Sequence, residues 1–155
     1  SLLAVDNSYK KEEEEEVKLK PNELKDKMDS FKDLMEKLTK DPVKTHKILV
    51  FSDFVAIFDE LQVYFKDTGI KFTKISGSSK IIENKIIKYK SNVIDVLLLN
   101  SKTCGSGLNL ENTTDIIIYH QVNKDLQAQI IGRALRPGHE GELNVHKLLN
   151  ESENE

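Results

Sequence analysis

Short, continuous apolar runs alternate along this chain with longer segments whose apolar residues recur every three or four positions. Continuous runs are typical of strands that are buried on both faces of a parallel sheet, and they occur at 47–52, 71–75, 93–99, 115–119 and 143–149. The periodic segments predict helices at 21–40, 53–67, 81–89 and 125–135. Strands that alternate with helices across short loops favour an α/β fold, a three-layer parallel sheet with helices on both faces.

Prolines and glycines mark the ends of several predicted elements. Pro21 fits the start of the first helix and Pro42 fits its end. Gly69 follows the second helix, where it fits a left-handed cap. The apolar stripe predicted for that second helix consists of Phe54, Ile57, Phe58, Leu61, Tyr64 and Phe65. The segment 100–109 is expected to be a loop after the central strand.

Composition places one domain between two charged ends. The 155 residues suit a single domain, which we predict at 21–150, after a charged linker at 1–20 and before a polar tail at 151–155. The chain begins without methionine, which suggests a fragment, and no signal peptide is visible. No apolar run reaches the ~20 residues that a membrane span needs. Cys104 is the only cysteine, which excludes an internal disulfide and a cysteine-based zinc site.

The loops that follow the predicted strands are rich in small residues. In open parallel sheets, ligands bind at the carboxyl ends of the strands, and the loops 52–53, 76–78 and 101–107 lie there. Free backbone N–H groups in such loops can approach phosphates, although turn geometry alone would also explain Gly105 and Gly107. A net charge of −3 argues against a strongly basic nucleic-acid-binding domain, but it allows a local groove of backbone donors.

Two arginines, Arg133 and Arg136, stand three residues apart at the end of the last predicted helix. Residues at that spacing share a helix face, and two guanidinium groups aimed the same way suit a polyanion. Solvated surface arginines are the simpler interpretation of such a pair in isolation. The sequence contains no G-x-x-x-x-G-K-[ST] and no acidic tetrad for a metal. It can therefore supply only half of a nucleotide-hydrolysing site.

An ordered set of motifs gives these features a context. K-I-L-V-F-S-D-F and K-I-S-G-S-S are followed by N-S-K-T-C-G-S-G-L-N-L at 100–110, D-L-Q-A at 125–128 and Q-I-I-G-R-A-L-R-P-G-H at 129–139. In this order they resemble the second RecA-like lobe of superfamily two helicases, and within it the SWI/SNF-type ATP-dependent DNA translocases. The chain departs from that pattern at 120–123, where H-Q-V-N replaces a W-N-P segment, and at His139, where glutamine is usual.

The resemblance implies a nucleotide site shared with another lobe. Arg133 and Arg136 would act as arginine fingers on ATP that is bound with Mg²⁺, mainly by a missing N-terminal RecA-like lobe. Gln129 would shape the same helix face. The nucleotide-contacting residues would be Gly107, Asn109 and Gly132.

The resemblance also implies a duplex-DNA grip without sequence specificity, because contacts to the sugar-phosphate backbone carry little sequence information. The contacting residues would be Ser52, Gly77, Ser78, Ser101, Lys102 and Thr103. A remodelling or transcription complex is a further candidate partner, and no membrane is expected. The expected location is intracellular, in a nucleus or at a viral or cytoplasmic replication site. Two alternatives stay open: the same lobe of an RNA or strand-unwinding helicase, and a non-catalytic α/β interaction module.

Overall fold

The computed structural model describes residues 3–5, 27–104 and 107–148. Its helices are α1 (Lys27–Thr39), α2 (Ala56–Thr68), α3 (Ser79–Lys90), α4 (Ser101–Cys104) and α5 (Lys124–Ala134). Its strands are β1 (Leu3–Val5), β2 (Ile48–Phe51), β3 (Phe72–Lys74), β4 (Val96–Leu99), β5 (Asp115–Ile118) and β6 (Leu143–Lys147). In the part of the chain that is described, no helix is long and apolar enough to cross a membrane.

The strands form one sheet in the order β1-β6-β5-β2-β4-β3. Strands β3, β4, β2, β5 and β6 are parallel to their neighbours. The chain reaches each from the previous one through a helix or a long connection, as parallel pairing requires. The predicted parallel α/β architecture is therefore confirmed.

Strand β1 was not predicted. Leu3–Val5 pairs antiparallel with β6, although the sequence analysis placed these residues in a charged linker. Three residues carry too little periodicity to identify a strand, and their extended form depends on a partner strand that lies far along the chain. Residues 6–26 and 149–155 lie outside the described residues, so the rest of the predicted linker, Pro21 and the polar tail do too.

The two faces of the sheet bury separate apolar clusters, because successive strand residues point to opposite sides. One cluster joins α1 and α2 to the sheet through Phe31, Met35, Phe58, Leu61 and Phe65. The other joins α3 and α5 to the opposite face through Tyr89, Ile130, Ile131 and Ala134. Helices therefore cover both faces, as the sequence predicts.

Two local predictions about the ends of α2 have different outcomes. Gly69 caps α2 in the left-handed conformation, with φ 75°, which confirms the predicted cap. Phe54 was assigned to the apolar stripe of α2, but the helix begins at Ala56 and the Phe54 side chain is 64% exposed. That assignment was wrong, because periodicity cannot locate the first turn of a helix to within two residues.

Candidate functional site

Helix α5 presents one polar face away from the sheet. Asn123 caps it, since the Asn123 side chain accepts a hydrogen bond from the Leu126 N–H at 2.8 Å. The buried Ile130, Ile131 and Ala134 fix the helix on the sheet. Gln129 and Gly132 consequently face solvent, and Arg133 is half-buried beside them.

Arg136 does not lie on that helix. Helix α5 ends at Ala134 with Leu135 as its cap, and Arg136 lies in the following turn, where its carbonyl accepts the His139 N–H at 2.9 Å. The expectation that both arginines share a helix face was therefore wrong. The helix ends early because Pro137 disfavours helical backbone at the residue before it.

Each arginine nevertheless has a side-chain donor without a hydrogen-bond partner among the described residues. The Nε atoms of Arg133 and Arg136 are shielded from solvent and have no hydrogen-bond partner within the described part of the chain. A shielded donor without a partner is costly, typically about 1–3 kcal/mol. Such atoms call for an explanation, and an anionic ligand that accepts from the guanidinium groups would supply one.

The segment 107–110 contacts α5. The Leu110 N–H donates to the Arg133 carbonyl at 2.9 Å, which ties this segment to the arginine helix. Gly107 has φ +76° and nothing within 4 Å of the position that a Cβ would take, so its surroundings are open. Gly107 and Asn109 line one wall of a groove of about 490 Å³ whose other wall is α3. The structure thus places Asn109 directly before the residue that hydrogen-bonds to Arg133, and it places Gly107 opposite α3.

The loop after β3 has the geometry expected of a tight helix entry. Gly77 has φ +111°, and a Cβ there would approach the Ile81 side chain to 3.1 Å. Ser78 caps α3 by accepting from the Ile81 N–H at 3.3 Å. Both residues are exposed at the carboxyl edge of the sheet, where a ligand can reach them.

The loop after β4 does not offer the free donors that the sequence suggested. The Ser101 N–H donates to Asp53 Oδ1 at 2.8 Å and the Lys102 N–H to Asn100 Oδ1 at 3.0 Å. The Thr103 N–H donates to the Asn100 carbonyl at 3.1 Å. These bonds form the short helix α4 in place of the predicted loop. The exposed side chains of Ser101 and Lys102 remain available, while Thr103 is half-buried.

Ser52 is fully buried, so in this structure it cannot itself touch a nucleic acid. Its Oγ lies 2.7 Å from His120 Nδ1 and accepts the Phe54 N–H at 3.0 Å. The Phe54 ring lies 4.6 Å from the His120 ring. Ser52 therefore supports Phe54 and His120, which the sequence analysis did not select. The signal for Phe54 was present, since an apolar residue in a ligand-facing loop is unusual.

A second polar cluster lies at the opposite, amino edge of the central strands. Asp115 is fully buried, and its carboxylate contacts His46 Nδ1 at 2.5 Å and His146 Nε2 at 2.9 Å. Asp41 Oδ2 lies 2.7 Å from His46 Nε2. No sequence motif signals this cluster, because it joins positions that are far apart along the chain. Among the described residues no His, Cys, Asp and Glu group could hold a metal ion.

The charges of this cluster follow from burial and hydrogen bonding. Burial alone would raise the pKa of Asp115, but hydrogen bonds from His146, His46 and Thr114 outweigh it and lower the pKa below its ordinary value. Hydrogen bonding to Asp115 raises the pKa of His46. Burial lowers the pKa of His146 to about 4. Hydrogen bonding to Asp115 therefore favours the protonated form of His46, while burial favours the neutral form of His146.

Comparison with known proteins agrees with the motif order. Residues 26–138 match the family described as "Helicase conserved C-terminal domain". Helicase R592 of Acanthamoeba polyphaga mimivirus is 34% identical over 95% of this chain and 17% of its own length. The ATP-dependent helicase FUN30 of Saccharomyces cerevisiae is 29% identical over 79% of this chain and 11% of its own length. This chain therefore spans less than a fifth of either relative.

A solved structure shows the same architecture. The crystal structure of the C-terminal part of the Fun30 ATPase domain superposes with a TM-score of 0.73 and 29% identity, over 81% of this chain and 41% of that chain. Fun30 is a SWI/SNF-type helicase. The chain belongs to the helicase conserved C-terminal domain family, as the C-terminal RecA-like lobe of a superfamily two helicase of the SWI/SNF type.

Proposed function

We propose that this chain is the second motor lobe of an ATP-driven double-stranded DNA translocase. In this proposal, Arg133 and Arg136 act on ATP that is bound mainly by an N-terminal RecA-like lobe of the same protein. The observation that carries the proposal is the pair of shielded arginine Nε atoms that have no hydrogen-bond partner among the described residues. The yeast relative, which is named an ATP-dependent helicase, supports the choice of nucleotide.

The donor set on this lobe suits a polyphosphate. Charge develops on the γ-phosphoryl oxygens as the phosphoryl group leaves, and fixed guanidinium groups offset that charge. Gln129 orders the same polar face, and the missing side chain of Gly132 leaves room for a close approach. Gly107 and Asn109 contact the ribose side of the nucleotide. Mg²⁺, which would neutralise charge on the β- and γ-phosphates, is assigned to the N-terminal lobe.

The carboxyl edge of the sheet holds the nucleic acid in this proposal. Lys102 and Ser101 contact phosphates through their side chains, since their N–H groups are used within the protein. Gly77 and Ser78 offer the first turn of α3, whose orphan N–H groups favour an anion. Thr103 would support this edge through its bond to the Asn100 carbonyl, and Ser52 through Phe54 and His120. Contacts of this kind read the backbone and not the bases.

Two alternatives lead to different behaviour of the longer protein. The same lobe in an RNA or strand-unwinding helicase would respond to RNA or to single strands. A non-catalytic α/β module would leave the unpartnered arginines without a role. One relative is viral and another is of the SWI/SNF type, so we include in the proposal a nuclear or viral setting and a remodelling or transcription complex as partner.

Steady-state ATPase assays of the longer protein test the proposal. Turnover should rise most with duplex DNA, less with single-stranded DNA and least with RNA. Stimulation by RNA alone would favour the first alternative, and absence of both turnover and nucleic-acid binding would favour the second. The isolated chain should not hydrolyse ATP, because its sequence has no phosphate loop. Turnover by the pure chain that persists through contaminant controls would contradict that expectation.

A further inference from the structure

Phe54 is an exposed aromatic side chain at the edge where the proposed function places the nucleic acid. It is 64% exposed, and every other phenylalanine and tyrosine in the described part of the chain is buried or half-buried. Scattered exposed apolar residues are common, so exposure alone assigns no role.

The Phe54 ring is held in place by its neighbours. Its N–H donates to Ser52 Oγ at 3.0 Å, and the same oxygen lies 2.7 Å from His120 Nδ1. The Phe54 and His120 rings are tilted by 57° with their centroids 4.6 Å apart, within the range of a favourable aromatic pair. A buried serine thus fixes both the backbone and the ring partner of Phe54.

The same loop is joined to the basic side of the edge. Asp53 Oδ1 accepts the Ser101 N–H at 2.8 Å, which fixes the Phe54 loop against α4. Lys102, the next residue in α4, is exposed. An aromatic side chain beside a cation and exposed hydroxyls is the arrangement with which proteins hold single strands, because every base offers a face for stacking.

We propose that Phe54 stacks on a nucleobase of the bound strand, with His120 as its positioning residue. The inference rests on the proposed function only in requiring that nucleic acid passes over this edge. It adds a contact to a base face, whereas Ser101 and Lys102 contact only phosphates. A flipped or unpaired base, or one at a locally opened step, is the partner that such a ring accepts.

Binding of two oligonucleotides separates the base contact from the phosphate contacts. Fluorescence anisotropy compares an oligo(dT) strand with an abasic strand of the same length and charge. Phe54→Ala should weaken oligo(dT) binding by roughly 5- to 100-fold, from the usual value of one aromatic–base stack. Its affinity for the abasic strand should stay within about twofold, since no base is present to stack. Phe54→Trp should retain oligo(dT) binding.

Matched variants complete the design. Val63→Ala removes another exposed apolar side chain, 60% exposed on α2, and should change neither affinity. Lys102→Ala should weaken both strands alike. His120→Ala should produce a smaller loss than Phe54→Ala, confined to oligo(dT), because the ring remains but is less restrained. Thermal melts check that every variant is folded. Phe54→Ala should melt within a few degrees of the wild type, because the Phe54 ring is exposed.

Each of the following outcomes overturns the inference. An unchanged oligo(dT) affinity in Phe54→Ala would assign the ring to a protein contact, such as the other lobe. An equal loss on both strands would show a general disturbance of the edge. If the wild-type chain binds neither strand, the nucleic-acid grip itself fails, and the stacking role with it. Loss with Lys102→Ala but not with Phe54→Ala would keep the proposed function and reject only the stack.

Discussion

The two arginines differ in how the backbone holds them. Arg133 is in the last turn of α5, where its carbonyl is fixed by the Leu110 N–H at 2.9 Å. Arg136 lies beyond the helix, in a turn closed by the His139 N–H. Each has a shielded Nε without a partner in the described residues. The two arginines are therefore held by different backbone settings, one helical and one in a turn.

Substitution of the arginines should lower turnover in the longer protein. Arg136→Ala is expected to reduce the maximal ATPase rate roughly a hundredfold or more, the scale of an arginine finger. The loss should fall on kcat because the contact acts on charge that appears in the transition state. Arg133→Ala should behave similarly, with some loss of ATP affinity. The measurement is steady-state turnover at saturating nucleic acid, beside a thermal melt.

Lysine provides the matched control for these variants. Arg136→Lys keeps the charge but loses the planar fork of donors, so it should recover little of the rate. Folding should survive each change, because both residues are only partly buried. A folded Arg136→Ala protein with near-normal turnover would reject the proposed role of this turn.

The Asp115 cluster is expected to make the stability of the folded chain depend on pH, with opposite slopes on the acid and the alkaline side. Unfolded histidine titrates near 6.5, whereas His146 in the folded chain titrates at about 4. Between these values the unfolded state binds more protons, so stability should fall as the pH drops from about 6.5 towards 4. His46 has a raised pKa, so its contribution should be lost as the pH rises above about 6.5.

Thermal melts across this range can separate the two histidines. His146→Gln should be less stable near neutral pH but should lose less on the acid side than the wild type. His46→Gln should flatten the alkaline side instead, because it removes the group whose proton is stabilised by Asp115. Two variant profiles that are parallel to the wild-type profile would mean that neither histidine controls the pH dependence.

At the scale of elements, the sequence predicts what depends on periodicity and misses what depends on partners. The parallel strands were predicted because continuous apolar runs mark them, and the main helices because their apolar residues recur every three or four positions. Strand β1 was missed because its order comes from pairing with β6. Helix α4 was missed because Asn100 and Asp53 supply its hydrogen bonds. Ser52 was chosen from its place after a strand, but burial by neighbouring elements cannot be read from that place.

The N-cap residue of α5 allows a test of what fixes the start of this helix. Asn123→Ala removes the acceptor of the Leu126 N–H and should cost about 1 kcal/mol of stability. For a chain of this length the corresponding fall in Tm is about 2–4 °C. Asn123→Asp keeps an acceptor at the same position and should melt close to the wild type. An unchanged Tm in Asn123→Ala would show that packing on the sheet alone fixes the start of α5.

At the scale of the whole molecule, the proposed active centre is divided between this lobe and a second one. The described part of the chain offers arginines, glycines and helix starts along one edge and one face of the sheet, while its carboxylate cluster lies at the opposite edge. A lobe built in this way can contribute cations to a nucleotide without holding the metal. In the proposed function, catalysis requires a second lobe to close on this one, and the relative position of the two lobes would then control turnover.

Salt dependence of DNA binding follows from the overall charge. With a net charge of −3, the chain can neutralise few phosphates, so duplex binding should be weak. The logarithm of the affinity falls with the logarithm of the salt concentration by about 0.9 for each phosphate neutralised. Lys102→Ala should reduce that slope by about one. Lys44→Ala, an exposed lysine in the loop before β2, lies at the opposite edge and should leave the slope unchanged. Affinity that is tight, insensitive to salt or strongly dependent on sequence would reject a grip made through the phosphate backbone.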